Sequence, residues 1–141
     1  MTSAEQVVRD FLGSLKRNDP DEVAAFFTPD GIYTDGPRGT TQGRAAIRQV
    51  FAAASERFPG GFDVAVQSLV SDGRTVMVER VDSFEVGNHS FEMEVAGIFE
   101  ISDDGLIVRL RDYFDLKEIQ DRVTRALEGD SAEPINRGLR A

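Results

Sequence analysis

Cysteine is absent from the 141-residue chain, and histidine occurs once, as His89. The chain can therefore form no disulfide and has no thiolate nucleophile. A lone histidine without cysteine partners argues against a zinc-type metal site, which needs several nitrogen or sulfur ligands. These absences direct attention to carboxylates and hydroxyls as the groups that carry any chemistry.

Long apolar runs are also missing, and no stretch approaches the roughly 18 residues of a membrane span. The first residues, Met-Thr-Ser-Ala-Glu-Gln, lack the basic and apolar regions of a signal peptide. We therefore expect a soluble, cytoplasmic protein that does not associate with a membrane.

Positive charge is scarce, with 16 Lys and Arg against 25 Asp and Glu and a net charge of −9. Phosphate groups are bound by clustered Lys and Arg, so nucleic acids and anionic membranes are poor partners. A neutral or cationic small molecule fits this charge better. The length suits one domain, which we expect over residues 1–128, followed by a polar, flexible tail over 129–141.

Helical periodicity dominates the first 58 residues. Ser3 begins a capping box for the first predicted helix. Asp19 caps a second helix, which is predicted to continue to Phe27 and to break at the Thr-Pro-Asp-Gly sequence that follows. A short strand over 31–35 comes next, and Thr41 is the expected cap of a third helix. This half of the chain therefore supplies mainly helices.

The period changes to two after residue 61, which predicts strands near 62–66, 75–86, 90–101 and 106–116. Asp115 then caps a final helix. Helices followed by consecutive strands indicate an α+β fold. We expect a curved antiparallel or mixed sheet that encloses one pocket with about four helices.

Two of these strands carry charges within apolar rows. Alternation places Asp112 on the face that also carries Leu106, Val108, Leu110 and Phe114. Arg80 and Asp82 share a face with Val76, Val78 and Phe84. Removing an isolated carboxylate from water costs several kcal/mol or more. Each of these charges must therefore be partnered, neutralised or required by a cavity.

Residues two apart on a strand lie about 6.6–6.8 Å from one another. We therefore expect that Arg80 and Asp82 do not easily chelate each other, but that both can reach toward Asp112. Such an array can be a buried ion-pair network that fixes strand register and performs no chemistry. Two carboxylates and one arginine leave excess negative charge, which favours one carboxylate holding a proton near neutral pH. An acid beside a base is a catalytic arrangement.

Tyr33 and Asp35 form a second candidate group, at the end of the short strand. A tyrosine hydroxyl can hold a water or a substrate oxygen, but a strand tyrosine is more often simply packed. This pair does not define a site by itself.

Three segments resemble a known family: 79–82 (Glu-Arg-Val-Asp), 97–100 (Gly-Ile-Phe-Glu) and 111–116 (Arg-Asp-Tyr-Phe-Asp-Leu). They are similar to strands of the limonene-1,2-epoxide hydrolase family, within the NTF2-like, SnoaL-like superfamily. The likeness extends from the first helix to about Leu127. It implies an NTF2-like cone, a homodimer, and hydrolysis without a metal, an organic cofactor or a covalent intermediate.

The resemblance also implies catalytic roles. Asp112 would take a proton from the water that attacks an epoxide carbon. Asp82 would donate a proton to the epoxide oxygen, and Arg80 would position both carboxylates. Tyr33 would help to hold the water.

Two positions depart from the family. Asp35 stands where the family has an asparagine, and an ionised carboxylate accepts hydrogen bonds but cannot donate them. Arg38 could offset its charge. Leu110 replaces a frequent tryptophan, so the pocket wall is altered and the substrate need not be a monoterpene. The expected apolar, substrate-binding wall comprises Phe84, Met93, Val95, Leu110 and Phe114.

Three functions are consistent with these residues. The first is hydrolysis of an apolar epoxide to a vicinal diol, or a related ring opening by an internal hydroxyl, as in a cyclase. The second is an isomerase, dehydratase or polyketide cyclase in which Asp112 removes a carbon-bound proton. The third is a non-catalytic module for ligand binding or dimerisation.

Overall fold

A computed structural model describes the backbone of residues 2–140 and the side chains of residues 2–130. In this part of the chain, helices pack against one curved six-stranded sheet, which confirms the predicted α+β class. The α-helices are α1 Ala4–Ser14, α2 Pro20–Ala24, α3 Arg44–Arg57 and α4 Leu116–Arg140. The flexible tail expected over 129–141 lies largely outside the described side chains and stays a prediction.

The sheet is mixed. Its strands are β1 Phe27–Asp35, β2 Thr40–Gln42, β3 Asp63–Asp72, β4 Thr75–Val86, β5 His89–Ile101 and β6 Ile107–Tyr113. Their order is β2-β1-β6-β5-β4-β3, with β1 and β6 parallel and the other neighbours antiparallel. The parallel pairing of β1 with β6 places Asp35 beside Asp112 where both strands end.

The first two helices begin where their capping residues predict. The Ser3 side chain accepts the backbone N–H of Gln6. The Asp19 side chain accepts the first backbone N–H groups of α2, where Pro20 occupies the first turn. Satisfying these otherwise unpaired donors stabilises each helix start. The apolar side of α1 then packs into the main core through Val8 and Phe11.

Two predicted boundaries in the first half are wrong. The second helix ends at Ala24, and Phe27 instead begins β1, where it pairs with Ile107 of β6. Burial of the Phe27 ring against the sheet outweighs its helical spacing from the preceding apolar residues. Thr41 lies in β2 rather than capping α3. The residue before α3 is Gly43, whose φ of +98° favours glycine.

The alternation predicted for 106–116 holds only in its second half. Ile107 is fully buried, whereas Val108 is 40% exposed. The pairing of β6 with β5 shifts register at Glu100–Ile101, and such an irregularity changes which residues face inward. Beyond it, Leu110 and Asp112 are buried on the inner face as predicted.

Two apolar clusters support the inner face of the sheet. The main one joins α1, α2 and α3 to the sheet around Phe11, Phe27 and Phe99. The second joins β4, β5 and α4 around Phe84, Phe91 and Ile119. No helix in the described part of the chain is long and apolar enough to cross a membrane.

Candidate active site

A cavity lies between the inner face of the sheet and the first three helices. Its volume is about 110 Å³, and one water molecule needs about 10–15 Å³. The cavity therefore has room for a compact ligand together with water. Its walls are mainly apolar, and its charged residues are Asp19, Asp35, Arg38, Arg80, Asp82 and Asp112.

Four of the five predicted wall residues line this cavity, namely Met93, Val95, Leu110 and Phe114. Phe84 does not. Its ring packs instead in the second cluster, 5.2 Å from the ring of Phe58 and 5.7 Å from that of Phe91. The β4 alternation correctly placed Phe84 on the inner face. It could not show that the rings of Phe58 and Phe62 stand between Phe84 and the cavity.

Arg80 joins the two predicted catalytic carboxylates. Its Nε donates to Asp82 Oδ1 at 2.9 Å, and its Nη1 donates to Asp112 Oδ1 at 3.0 Å. Its Nη2 reaches both, at 3.3 Å from Asp82 Oδ2 and 3.1 Å from Asp112 Oδ2. The expectation that Arg80 and Asp82 would not chelate each other is therefore wrong. Strand spacing separates their Cα atoms, but the arginine is long enough to fold back along its own strand.

Gly97 is a site residue that our sequence reasoning did not single out. It lies on β5, between β4 and β6, and pairs with Asp112. A Cβ at this position would stand 2.7 Å from Arg80 Nη1 and 2.8 Å from Asp112 Oδ1. The absence of a side chain lets the guanidinium cross the strand. An isolated glycine within a strand pattern was the available signal, because it often marks close approach by another group.

Burial dominates the electrostatics of this group. It raises the pKa of Asp112, and the neighbouring Asp82 and Asp35 raise it further, against the opposing effect of Arg80. Burial alone would lower the pKa of Arg80, but its two aspartate partners outweigh burial and raise it. Arg80 therefore remains charged, while Asp112 is a stronger base than an exposed aspartate.

Tyr33 and Asp35 extend the group along β1. The Tyr33 hydroxyl donates to Asp35 Oδ1 at 3.1 Å, and its ring stacks on Phe51 at a centroid distance of 5.3 Å. Burial raises the pKa of Tyr33 well above its usual range, with Asp112 and Asp35 adding to the effect. Tyr33 therefore keeps its proton and acts as a donor. The structure thus brings together all five predicted catalytic residues, Tyr33, Asp35, Arg80, Asp82 and Asp112.

The arrangement can exchange protons with a bound molecule at two carboxylates, which a permanent cation holds in fixed positions. It also excludes much bulk water, since the arginine and both aspartates are buried. Among the described residues, no group of three His, Cys, Asp or Glu side chains is arranged to hold a metal ion. Acid–base chemistry is what these side chains themselves provide.

The fold and the site define the class of protein, an NTF2-like α+β cone with a charged cavity. The structure aligns with an NTF2-like protein from Anabaena variabilis at a TM-score of 0.69 and 23% identity, covering 79% of this chain and 86% of that one. The chain belongs to the limonene-1,2-epoxide hydrolase catalytic domain family, whose model matches residues 2–125.

Relatives agree with this assignment. The chain is 31% identical to epoxide hydrolase EphG of Mycobacterium tuberculosis over 120 residues, which cover 85% of this chain and 78% of EphG. A solved structure of an M. tuberculosis epoxide hydrolase like those of the limonene family aligns at a TM-score of 0.75 and 29% identity, covering 92% of this chain and 95% of that one.

The fold extends to a protein described as an epoxide hydrolase/cyclase-like enzyme, SalBIII, with a role in pyran ring formation in the polyether salinomycin. That structure aligns at a TM-score of 0.71 and 17% identity, covering 81% of this chain and 92% of that one. Such low identity shows a common fold and does not indicate which reaction this chain catalyses.

Proposed function

We propose that the protein is a cofactor-independent epoxide hydrolase that adds water to an apolar epoxide and gives a vicinal diol in one step. The observation that carries this proposal is the contact of Arg80 with both Asp82 and Asp112 in an apolar cavity. Membership of the epoxide hydrolase family supports it.

Asp112 acts as the general base in this mechanism. Its carboxylate takes a proton from water as the water oxygen attacks an epoxide carbon. The adjoining C–O bond breaks, and its electron pair moves to the epoxide oxygen. A raised pKa suits this role, because a base is most effective when its pKa approaches the working pH.

Asp82 acts as the general acid and donates a proton to the oxygen released by ring opening. One proton enters the dyad at Asp112 and one leaves it at Asp82, so the pair holds the same number of protons afterwards. Moving the proton from Asp112 back to Asp82 resets the site. Arg80 keeps both carboxylates in place throughout, because it remains charged.

The substrate class follows from the walls and the charge of the cavity. Its apolar walls favour a hydrocarbon-like epoxide, and its aspartates outnumber its arginines by four to two. A carboxylate-bearing epoxide would therefore be repelled. We expect neutral or cationic epoxides to be turned over faster than anionic ones of the same size.

A panel of terpene, styrene and cyclohexene epoxides tests the proposal, with diol formation measured by gas chromatography. The wild type should form a diol from at least one neutral epoxide, and Asp112→Asn is the matched inactive control. Turnover of no epoxide would contradict the proposal. A cyclic ether from a hydroxy-epoxide would indicate the cyclase instead, and turnover of a carbonyl compound without ring opening would indicate an isomerase.

Homodimer formation, implied by the family resemblance, stays a proposal. Exposed apolar side chains on the outer face of the sheet, Val70, Met77 and Tyr113, are the surface that a second copy would cover. Sedimentation equilibrium would test it, and a monomer at all concentrations would contradict it. The cytoplasmic location predicted from the sequence also stays a prediction.

A further inference from the structure

The turn that follows β1 fixes an arginine at the edge of the active-site cavity. Residues Gly36–Arg38 form a single 3-10 turn, closed by a hydrogen bond from the Asp35 N–H to the Gly39 carbonyl at 2.9 Å. Gly36 has a φ of +51°, and a Cβ there would lie 2.6 Å from Cε1 of Phe114. The Phe114 ring therefore packs directly on the turn, because Gly36 has no side chain.

Arg38 covers the same ring. Its guanidinium carbon lies 5.6 Å from the centroid of Phe114, within the range of a cation–π contact. Its Nη1 lies 3.4 Å from Asp35 Oδ2. Arg38 is thus held by the aromatic ring of the residue that follows β6, while it faces a carboxylate at the end of β1.

The carboxylate of Asp35 has an unusual orientation. An aspartate that precedes a helical turn commonly accepts a backbone N–H of that turn. The Asp35 side chain makes no such capping hydrogen bond. It accepts instead from the Tyr33 hydroxyl and faces Arg38, so that it lines the cavity beside Asp112.

We propose that Arg38 is a positioning residue that compensates the charge of Asp35 and orients its carboxylate as a second acceptor for the attacking water. The inference rests on the proposed hydrolase function. It assigns to the Asp35–Arg38 pair the place that the family resemblance gives to an asparagine.

The chemistry of the water explains why a second acceptor is useful. A water molecule can donate one hydrogen to Asp112 and the other to Asp35, which leaves a lone pair for the epoxide carbon. The Tyr33 hydroxyl already donates to Asp35, so its hydrogen is not directed at that lone pair. The parallel pairing of β1 with β6, which sets Asp35 beside Asp112, makes this geometry available.

The surrounding charges favour a cation at this position. Asp35 contacts Tyr33 on its own strand and pairs with Asp112 on β6. Arg80 and Asp82 on β4 and Asp19 at the start of α2 line the same cavity. The α3 residues in the wall, Val50, Phe51 and Ala54, are uncharged. Without Arg38, the cavity would contain one arginine and four carboxylates. Repulsion between neighbouring carboxylates favours the protonated form of one of them.

The test compares Arg38→Gln and Arg38→Lys with a matched control, Arg57→Gln. Arg57 also lies over a phenylalanine ring, 5.3 Å from the centroid of Phe58, and Arg57 does not line the cavity. Two readouts are needed: the pH profile of kcat/KM for an epoxide, and the pH titration of the Asp35 carboxyl carbon by NMR.

Arg38→Gln should move both the acid limb of the profile and the Asp35 titration to higher pH, by between about 0.3 and 0.7 pH unit, as expected for a partly exposed ion pair. Arg38→Lys should restore most of the wild-type profile, and Arg57→Gln should change neither readout. In an Asp35→Asn background, Arg38→Gln should move the acid limb much less. That dependence on Asp35 separates positioning from a general effect on the fold.

Two outcomes would overturn the inference. One is an Asp35 titration that is the same in wild type and Arg38→Gln. The other is an Arg38→Gln effect on the acid limb of equal size in the Asp35→Asn background. Failure of the hydrolase proposal is distinguishable, because it would appear as wild type that turns over no epoxide. There would then be no attacking water for Asp112 to activate, and the proposed role of Arg38 would be refuted even if its substitution shifted the Asp35 titration.

Discussion

Two arginines of this cavity face aspartates in very different surroundings. Arg80 and its partners Asp82 and Asp112 have side chains that are 4%, 7% and 7% exposed. The Arg38 and Asp35 side chains are 42% and 22% exposed. The first arginine is enclosed by the sheet and the helices, and the second lies at the rim.

Burial determines what each arginine can contribute. Around Arg80 there is little water to replace a lost partner, so removing the cation leaves two uncompensated carboxylates. Around Arg38, solvent screens the pair and limits its contribution to folding stability. The buried arginine therefore holds the site together, whereas the outer arginine adjusts one carboxylate within it.

The largest expected effect comes from the buried side of this comparison. Asp112→Asn should lower kcat by about 10²–10⁴-fold, the usual contribution of a general base. Asp35→Asn, at the rim, should lower it far less, because an amide oxygen can still accept a hydrogen bond from water. Steady-state kinetics on one epoxide measure both. Equal losses in the two variants would mean that burial does not distinguish their roles.

Folding stability should separate the two arginines next. Arg80→Leu should destabilise the protein at pH 7 by about 3–5 kcal/mol, because Asp82 and Asp112 would remain buried without their cation. Arg38→Gln should cost no more than about 1 kcal/mol, as is usual for an exposed pair. Urea unfolding followed by circular dichroism measures both. A similar loss in the two variants would remove the distinction on which our account rests.

The smallest expected effect is on the pH dependence of folding stability. Because the pKa of Asp112 is raised in the folded state, ionising it disfavours folding. The protonated Asp112 carboxyl makes its full contribution to folding stability below the pKa of an unfolded aspartate, about 3.9. That contribution is lost as the pH rises through the pKa of Asp112 in the folded protein. Asp112→Asn should therefore melt at the same or a higher temperature than wild type at pH 7, and this advantage should shrink at pH 4. A melting temperature of Asp112→Asn below that of wild type at pH 7 would contradict this prediction.

Much of the architecture follows from local signals in the sequence. The period-2 pattern of β4 placed Arg80 and Asp82 on its inner face, and the caps at Ser3 and Asp19 located two helix starts. The errors arose where long-range pairing overrides local pattern. Phe27 joins a strand because Ile107 pairs with it, and no local signal shows that pairing.

Long-range contacts also limited what the sequence could predict about the candidate site. The sequence indicated which charges face inward, because each interrupts an apolar row. It could not show that Arg80 chelates Asp82, since that depends on the path of a flexible side chain. Nor could it show that Gly97 opens the way to Asp112, because this requires three adjacent strands in register.

A single turnover in ¹⁸O-labelled water, with enzyme in excess over epoxide, tests the acid–base account most directly. If water attacks the epoxide carbon in one step with Asp112 as base, the diol formed in that first turnover carries one ¹⁸O atom. If an aspartate attacks instead, the first diol takes its oxygen from the unlabelled carboxylate. An unlabelled first diol would therefore contradict the account.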